Sequence, residues 1–106
     1  VLQVHGDADT IVTYAGGHLF KNPRLPRHAS AQQTSADWAV RLGCGVGPQK
    51  ALALDLEAKL PGSETEVRRF TGCTRGAIEL WTIVGGSHYI GFRSKTLEAM
   101  WNFLQR

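Results

Sequence analysis

The sequence has no long hydrophobic run. Its apolar stretches all fall well short of the ~20 residues that a membrane-spanning helix needs, which argues against an integral membrane protein. A basic segment followed by an apolar one, the pattern of a signal peptide, is missing as well. The chain begins at Val1 inside an apolar stretch and without an initiator methionine. We therefore expect it to be a piece of a longer or processed protein.

Runs of basic residues are also missing, although the chain is basic overall. Its 12 Lys and Arg residues are scattered among 9 Asp and Glu residues, for a net charge of +3. This distribution predicts a solvated surface and argues against nucleic acid or a membrane as a partner. With 106 residues, of which 42% are hydrophobic and 20% charged, the chain has the size and composition of one small globular domain.

Cysteine is scarce, since the chain has only 2 such residues, Cys44 and Cys73. They do not form a C-x-x-C pair, and the closely spaced ligand pairs of metal sites are missing, so the sequence predicts no metal and no cofactor. Each cysteine follows a glycine at the end of a predicted element. The spacing leaves two alternatives open. One is a disulfide that closes a loop of about 30 residues and stabilises the fold by roughly 3–4 kcal/mol; the other is a pair of buried thiols.

Several segments of the sequence have the patterns of a strand or of loops. Val1–Val4 is short and apolar, as expected of a buried strand. Residues 7–29 lack periodicity and contain Gly and Pro, which predicts a long loop of the kind that often binds ligands. Residues 45–50 are expected to be loop. In residues 51–60 leucines alternate as in a strand while the composition favours a helix, and we expect an extended or irregular segment.

Two helices are predicted. Ser30 and Gln33 match a capping box, and the helix that follows should run to about Leu42, with Gly43 as its C-cap. Ser94 is expected to cap a second helix that runs through Gln105. One face of the first helix contains Thr34, Trp38 and Leu42. The apolar stripe of the second, expected to pack on a sheet, contains Leu97, Met100, Trp101 and Leu104.

An antiparallel hairpin is predicted between these helices. Thr65–Thr71 and Ile78–Val84 are rich in β-branched and aromatic residues, and a short loop containing glycine joins them. The second strand leads into Gly85-Gly86-Ser87-His88-Tyr89. Two glycines allow a sharp turn, so the histidine can point back over the end of its strand.

The residue types that end the two apolar strands indicate acid–base chemistry. Asp7 and Asp9 follow the first strand, and His88 follows the last one. Histidine suits the role of a general base because its pKa lies near neutral pH. A carboxylate that accepts a hydrogen bond from the imidazole fixes its tautomer and stabilises the imidazolium. An Asp and a His therefore supply two of the three members of a catalytic triad.

The combined motifs resemble the C-terminal part of an α/β-hydrolase. More closely, they resemble the esterase family that contains polyhydroxybutyrate depolymerase-like proteins, feruloyl esterases and acetylxylan esterases. The resemblance implies an α/β fold in which residues 1–106 are the C-terminal portion of a single catalytic domain, an α/β-hydrolase sheet with flanking helices. The residues that carry it are His5-Gly6-Asp7-Ala8-Asp9-Thr10-Ile11-Val12-Thr13-Tyr14 with Gly16-Gly17, Trp38-Ala39-Val40-Arg41-Leu42-Gly43-Cys44, Arg69-Phe70-Thr71-Gly72-Cys73, Glu79-Leu80-Trp81-Thr82-Ile83 and Gly85-Gly86-Ser87-His88.

The resemblance also assigns roles to individual residues. Asp9 matches the triad acid and His88 the triad base, while Asp7 is the rival carboxylate and His5 supports the turn. Cys44 and Cys73 match a disulfide of such secreted esterases, which implies a secreted protein. Tyr14, Trp81 and Tyr89 are candidates for contact with the substrate, although packing in the core is an equal alternative for Trp81. The sequence departs from the family after His88, where Thr-Trp is frequent and this chain has Tyr89-Ile90.

The family's nucleophile, a serine in Gly-x-Ser-x-Gly, is missing from this sequence. Ser87 lies beside His88, but neighbouring loop residues rarely align as a Ser–His pair. We therefore expect the serine and the oxyanion hole to lie in an N-terminal part of the same hydrolase. The expected activity is hydrolysis of a carboxylic ester, such as a plant cell-wall feruloyl or acetyl ester or a polyhydroxyalkanoate. The alternative is a non-catalytic remnant or polymer-binding module.

Overall fold

A mixed four-stranded sheet forms the centre of the fold. The computed structural model describes residues 1–105. The elements are β1 (Leu2–Gly6), β2 (Gly17–His18), a 3₁₀ turn (Leu19–Lys21), β3 (Arg27–His28), α1 (Ala31–Arg41), β4 (Val46–Leu54), β5 (Thr65–Thr71), β6 (Ile78–Ile83) and α2 (Ser94–Leu104). The sheet has the order β1-β6-β5-β4, and β2 and β3 form a separate two-stranded ribbon.

The strand directions show that the expected α/β-hydrolase sheet is wrong. Only β1 and β6 pair in parallel, whereas β6 with β5 and β5 with β4 are antiparallel. The predicted hairpin is confirmed, and it explains the difference, because two strands joined by a short turn must run in opposite directions. The loop motifs that carry the resemblance do not specify the directions of the strands between them. The fold is a small domain with a mixed sheet, a two-stranded sheet and two helices.

The central strand β6 is buried along its whole length. Its residues face the sheet's two sides alternately, which explains why every position is apolar, aromatic or hydrogen-bonded. On one side, Trp81 forms the core with Leu56, Val67 and Phe103, each at most 3% exposed. The edge strand β4 is mostly exposed, with Leu52 at 88%. The predicted loop at residues 45–50 is therefore wrong from Val46 onward, because Val46, Gln49 and Lys50 pair with β5, with an irregularity between Val46 and Gln49.

Helix α1 begins where the sequence predicts. The Ser30 Oγ accepts a hydrogen bond from the Gln33 N–H over 2.9 Å, which confirms the N-cap. The Gln33 side chain donates to Asp37 instead of turning back, so the reciprocal bond of a capping box is not made. Gly43 follows the helix with a φ of +67°, as expected of a C-terminal glycine. The buried face consists of the small residues Ala31, Ser35 and Ala39, while Trp38 is 39% exposed.

Helix α2 differs from its prediction in both its cap and its buried face. Arg93 is the N-cap, so Ser94 is the first helical residue. Most of the expected stripe is turned outward: Leu97, Trp101 and Leu104 are 71%, 59% and 64% exposed, whereas Met100 packs against the core. Phe103 is buried instead, with its ring centroid 6.5 Å from that of Trp81. The helix has apolar residues on more than one face, and periodicity alone does not distinguish which face meets the sheet.

A disulfide joins Cys44, just after α1, to Cys73, just after β5. It therefore fastens the helix on one side of the sheet to the hairpin, and the alternative of two buried thiols is excluded. A disulfide is consistent with an extracellular location. Neither helix within residues 1–105 is long and apolar enough to cross a bilayer.

Candidate active site

Asp9 is held in the turn that follows β1. Its Oδ1 accepts hydrogen bonds from the backbone N–H groups of Ile11, over 2.8 Å, and Val12, over 2.9 Å. An aspartate that accepts backbone N–H groups two and three residues ahead stabilises the turn and fixes its own side chain. With Oδ1 occupied in this way, Oδ2 is directed toward the loop after β6.

His88 reaches Asp9 because β1 and β6 are parallel. The carboxyl ends of neighbouring parallel strands lie at the same edge of a sheet, and here they carry the two loops. The loops approach closely: the Ala8 N–H donates to the Gly86 carbonyl over 2.9 Å. Gly6 permits this approach, since a Cβ there would lie 2.2 Å from the Gly86 carbonyl oxygen. The glycines thus position the two functional side chains as well as forming turns.

The imidazole of His88 and the carboxylate of Asp9 form a hydrogen bond. His88 Nδ1 lies 2.9 Å from Asp9 Oδ2. The Asp9 side chain is 5% exposed, whereas that of His88 is 38% exposed. A proton on Nδ1 satisfies this bond and leaves the Nε2 lone pair available. Within residues 1–105 the structure gives Nε2 no hydrogen-bond partner.

Asp9 is ionised under ordinary conditions. Burial raises the pKa of its carboxyl group, but the hydrogen bonds from His88, Ile11 and Val12, together with the charge of His88, lower it further than burial raises it. The net result is a pKa below the ordinary value of 3.8. The carboxylate can therefore accept a proton-bearing Nδ1 throughout the neutral range.

His5 lies behind the pair and supports the turn, as predicted. Its Nε2 is 2.7 Å from the Val12 carbonyl oxygen, to which it donates, and 3.4 Å from Asp9 Oδ2. The ring also contacts Tyr14 edge-on, with centroids 5.5 Å apart. Because Nε2 is already committed to Val12, His5 does not compete with His88 for the base role.

The rival carboxylate, Asp7, contacts the backbone of the loop after β6. Its Oδ1 accepts the Gly85 N–H over 2.7 Å, and its side chain lies at the exposed surface. This bond fastens the β1 turn to the glycine turn after β6. The geometry separates the two aspartates, because Asp9 contacts the imidazole and Asp7 contacts the backbone.

The three aromatic candidates for substrate contact lie in different environments. Tyr89 is 75% exposed and packs edge-on against His88, with centroids 5.2 Å apart. Tyr14 donates or accepts a 2.6 Å bond with Thr82 and lines a cavity of about 530 Å³ beside Asp9. Trp81 is 2% exposed, and its Nε1–H donates to Glu79 within the core. The packing alternative therefore describes Trp81.

A serine hydroxyl does not reach His88 in the part of the chain that the structure describes. Ser87, its neighbour, donates its hydroxyl to the Tyr89 carbonyl over 3.0 Å. A shallow cavity of about 300 Å³ nevertheless opens beside the pair. Its lining includes Asp9, His88 and the strand residues Gln3, Val4 and His5. β1 is an edge strand of the sheet, and the side of its backbone opposite β6 has no partner strand within residues 1–105.

Glu57 is a buried carboxylate near the site that the sequence does not single out. It is 3% exposed and accepts the Gly91 N–H, close to His88 in the chain. The segment around it has an ambiguous periodicity, and nothing in the sequence signals the contact. Among residues 1–105 no group of three or more His, Cys, Asp or Glu side chains is arranged to hold a metal ion.

Comparison with known protein families, with curated proteins and with solved structures finds no match. The esterase family expected from the motifs therefore remains a prediction.

Proposed function

We propose that this chain supplies the general base and the orienting carboxylate of a serine carboxylesterase. The observation that carries the proposal is the 2.9 Å contact between His88 Nδ1 and the buried Asp9 carboxylate. It leaves Nε2 free on a partly exposed imidazole, and His88 lines an open cavity. A carboxylate, an imidazole and a free Nε2 in this order are the parts that activate a hydroxyl nucleophile.

In the proposed reaction the Nε2 of His88 removes the proton from a serine hydroxyl as the oxygen attacks the ester carbonyl. The tetrahedral intermediate collapses when Nε2–H protonates the departing alcohol, which leaves an acyl-enzyme. Water, deprotonated by the same nitrogen, then releases the carboxylic acid and frees the serine. Asp9 holds the ring and stabilises the imidazolium during each transfer.

The serine is proposed to come from an N-terminal part of the same protein, outside residues 1–106. Because β1 is an edge strand and residues 3–6 line the cavity together with Asp9 and His88, a further segment beside β1 is proposed to reach Nε2. A second cavity beside Asp9, lined by Tyr14 and the loop that follows it, is a candidate binding site for the acyl or alcohol group of the ester. The motif resemblance favours feruloyl, acetyl-xylan or polyhydroxyalkanoate esters as substrates. The disulfide supports secretion of the protein.

Kinetics of the longer protein test the proposal. The polypeptide that includes the residues encoded before Val1 is assayed with 4-nitrophenyl acetate, alongside Asp9→Asn and His88→Gln. Both variants should lower kcat by roughly 10³-fold or more. His88→Gln removes the base, and Asp9→Asn no longer holds the imidazole in the correct tautomer. Asp7→Asn is the matched control, since an Asn Oδ1 still accepts the Gly85 N–H and nothing at His88 changes.

Near-normal turnover in both site variants would contradict the proposed roles. An absence of esterase activity in the longer protein would contradict the proposed function as a whole. Binding of an insoluble polyester or xylan without turnover would then favour the alternative, a polymer-binding module.

A further inference from the structure

We infer that Glu57 is a positioning residue that holds the His88 loop in place through Gly91. The anchoring itself is independent of any activity, whereas its consequence for catalysis rests on the proposed function. Each oxygen of the Glu57 carboxylate accepts a different backbone N–H: Oε1 accepts that of Lys59 and Oε2 that of Gly91, both over 2.9 Å. The Glu57 carboxylate therefore links its own segment, through Lys59, to the loop that contains Gly91.

The Glu57 carboxylate is nearly inaccessible to solvent, at 3% exposure of the residue. Burial of a charged group is unfavourable unless hydrogen bonds compensate. The hydrogen bond from the Lys59 N–H lowers the pKa of Glu57, burial raises it, and the bond from Gly91 lowers it again, with a net decrease from 4.5. The ionised form is thus the one that the surrounding backbone stabilises.

The two segments run side by side over several residues. The Ala58 N–H donates to the Gly91 carbonyl over 2.7 Å, and the Arg93 N–H donates to the Leu56 carbonyl over 2.8 Å. Glu57 and Phe92 form an antiparallel bridge between them. The Glu57 carboxylate adds a side-chain bond at the end of this ladder that lies nearest to His88.

Few other hydrogen bonds hold the loop that carries His88. Between Gly86 and Gly91, the hydrogen bonds within the described residues are the one from His88 to Asp9 and the internal one from Ser87 to Tyr89. The loop is therefore fixed at the glycine turn after β6 and at Gly91, where the Glu57 carboxylate adds to the bond from the Ala58 N–H. If the Glu57 contact is lost, we expect His88 to be held less firmly at its distance from Asp9.

Gly91 is suited to this contact by its size. Its φ is not in the positive region, so glycine is not required there for backbone conformation. A Cβ at this position would lie 2.9 Å from Glu57 Oε1, which is too close for an unshifted carboxylate. An alanine here should therefore displace the Glu57 side chain while leaving both backbones in allowed conformations.

The experiment compares Glu57→Gln with Glu64→Gln in the 106-residue chain with its disulfide intact. In Glu57 the Lys59 and Gly91 N–H groups meet different oxygens, and glutamine has only one, so in the native orientation one of the two would face the amide NH₂ group instead of an acceptor. Glu64 is the matched control, because its Oε1 alone accepts the Leu56 and Glu57 N–H groups and a glutamine oxygen can replace it. The measurements are the amide exchange of Gly91 and the nuclear magnetic resonance signal of the His88 Nδ1 proton.

We expect Glu57→Gln to accelerate Gly91 amide exchange by about tenfold or more, the effect of about one lost hydrogen bond to a charged group, and to broaden or abolish the His88 Nδ1 proton signal. Glu64→Gln should leave both unchanged. If Glu57→Gln unfolds the chain, Gly91→Ala is the deciding variant and should weaken the same two signals. If Glu57→Gln folds and shows wild-type amide exchange at Gly91 and a wild-type His88 Nδ1 signal, the inference is overturned. If Glu57→Gln is unfolded, wild-type values of the same two measurements in Gly91→Ala would overturn it.

The two proposals fail in different ways. A wild-type chain in which the Gly91 amide is protected but the His88 Nδ1 proton gives no hydrogen-bonded signal would contradict the proposed Asp9–His88 pair and leave the Glu57 anchor intact. A normal His88 signal together with an unprotected Gly91 amide would overturn the anchor and leave the proposed function intact.

Discussion

Asp9 combines two roles in one carboxylate. Its Oδ1 accepts hydrogen bonds from two backbone N–H groups of its own turn, and its Oδ2 accepts a hydrogen bond from His88 Nδ1–H. The turn therefore holds the aspartate in the orientation that the imidazole needs, without help from a further side chain on that oxygen. This arrangement explains why Asp9, and not Asp7, faces His88, a distinction that the motif resemblance implied and that residue type alone does not make.

The same bonds predict how stability changes with pH. Asp9 and Glu57 both have lowered pKa values in the folded chain, so below their ordinary values of 3.8 and 4.5 the unfolded chain binds more protons than the folded one. Their stabilisation is present above these values and is lost as the pH falls through the lower folded pKa values. We expect the free energy of unfolding in urea to decrease between about pH 5 and about pH 3.

The double variant Asp9→Asn/Glu57→Gln is the control for this pH dependence. It should be less stable than wild type near neutral pH but lose less stability on acidification, because neither amide titrates. An equal loss in the variant and in wild type would assign the acid sensitivity to other groups.

At the scale of elements, α2 shows how far a hydrophobic pattern can be interpreted. The existence of the helix follows from the sequence, and its end at Leu104 lies within one residue of the expected position. The buried face does not follow, because Phe103 and the stripe through Trp101 are both apolar. Only contact with Trp81 and the rest of the sheet's core decides between them.

Alanine substitutions in α2 test this orientation. Phe103→Ala should lower the free energy of unfolding by about 3–5 kcal/mol, since it removes a buried ring and leaves a cavity. Trp101→Ala should change it by about 0.5 kcal/mol or less, because the side chain is 59% exposed. Denaturant unfolding of both variants measures the difference, and a larger loss for Trp101→Ala would reverse the assigned orientation.

The disulfide is the second test at this scale. Cys44 and Cys73 are 29 residues apart in sequence, and the link between α1 and the hairpin restricts the unfolded chain. The double variant Cys44→Ala/Cys73→Ala should lower the free energy of unfolding by roughly 3–4 kcal/mol. Unfolding curves of the variant and of the oxidised chain give this value directly. An unchanged midpoint would show that the bond does not stabilise the fold.

For the whole molecule, local features were predictable and the sheet was not. The hairpin, the Ser30 cap and the turn after β1 depend on neighbouring residues and could be predicted from the sequence. The direction of β4 and the pairing of residues 45–50 depend on partners distant in sequence, and no local signal specifies them. The Glu57–Gly91 contact belongs to the same group, since its residues are far apart in the chain.

The site was predictable from the sequence only in part. Asp9 and His88 were predictable as residue types at two strand ends, and one parallel pair of strands is enough to bring them together. A complete α/β-hydrolase sheet is not required for that contact. The antiparallel remainder of the sheet supports β6 from its other side, and the disulfide links the end of β5 to the end of α1.

This chain is proposed to carry the base and its orienting carboxylate, while the nucleophilic serine lies outside it. The most direct measurement is labelling with a fluorophosphonate, with the mass of the intact protein determined without reductant. The 106-residue chain should show no adduct and a mass lower by the two thiol hydrogens of its disulfide, whereas the longer protein should take up one equivalent. A stoichiometric adduct on a serine within residues 1–106, or none on the longer protein, would contradict the claim.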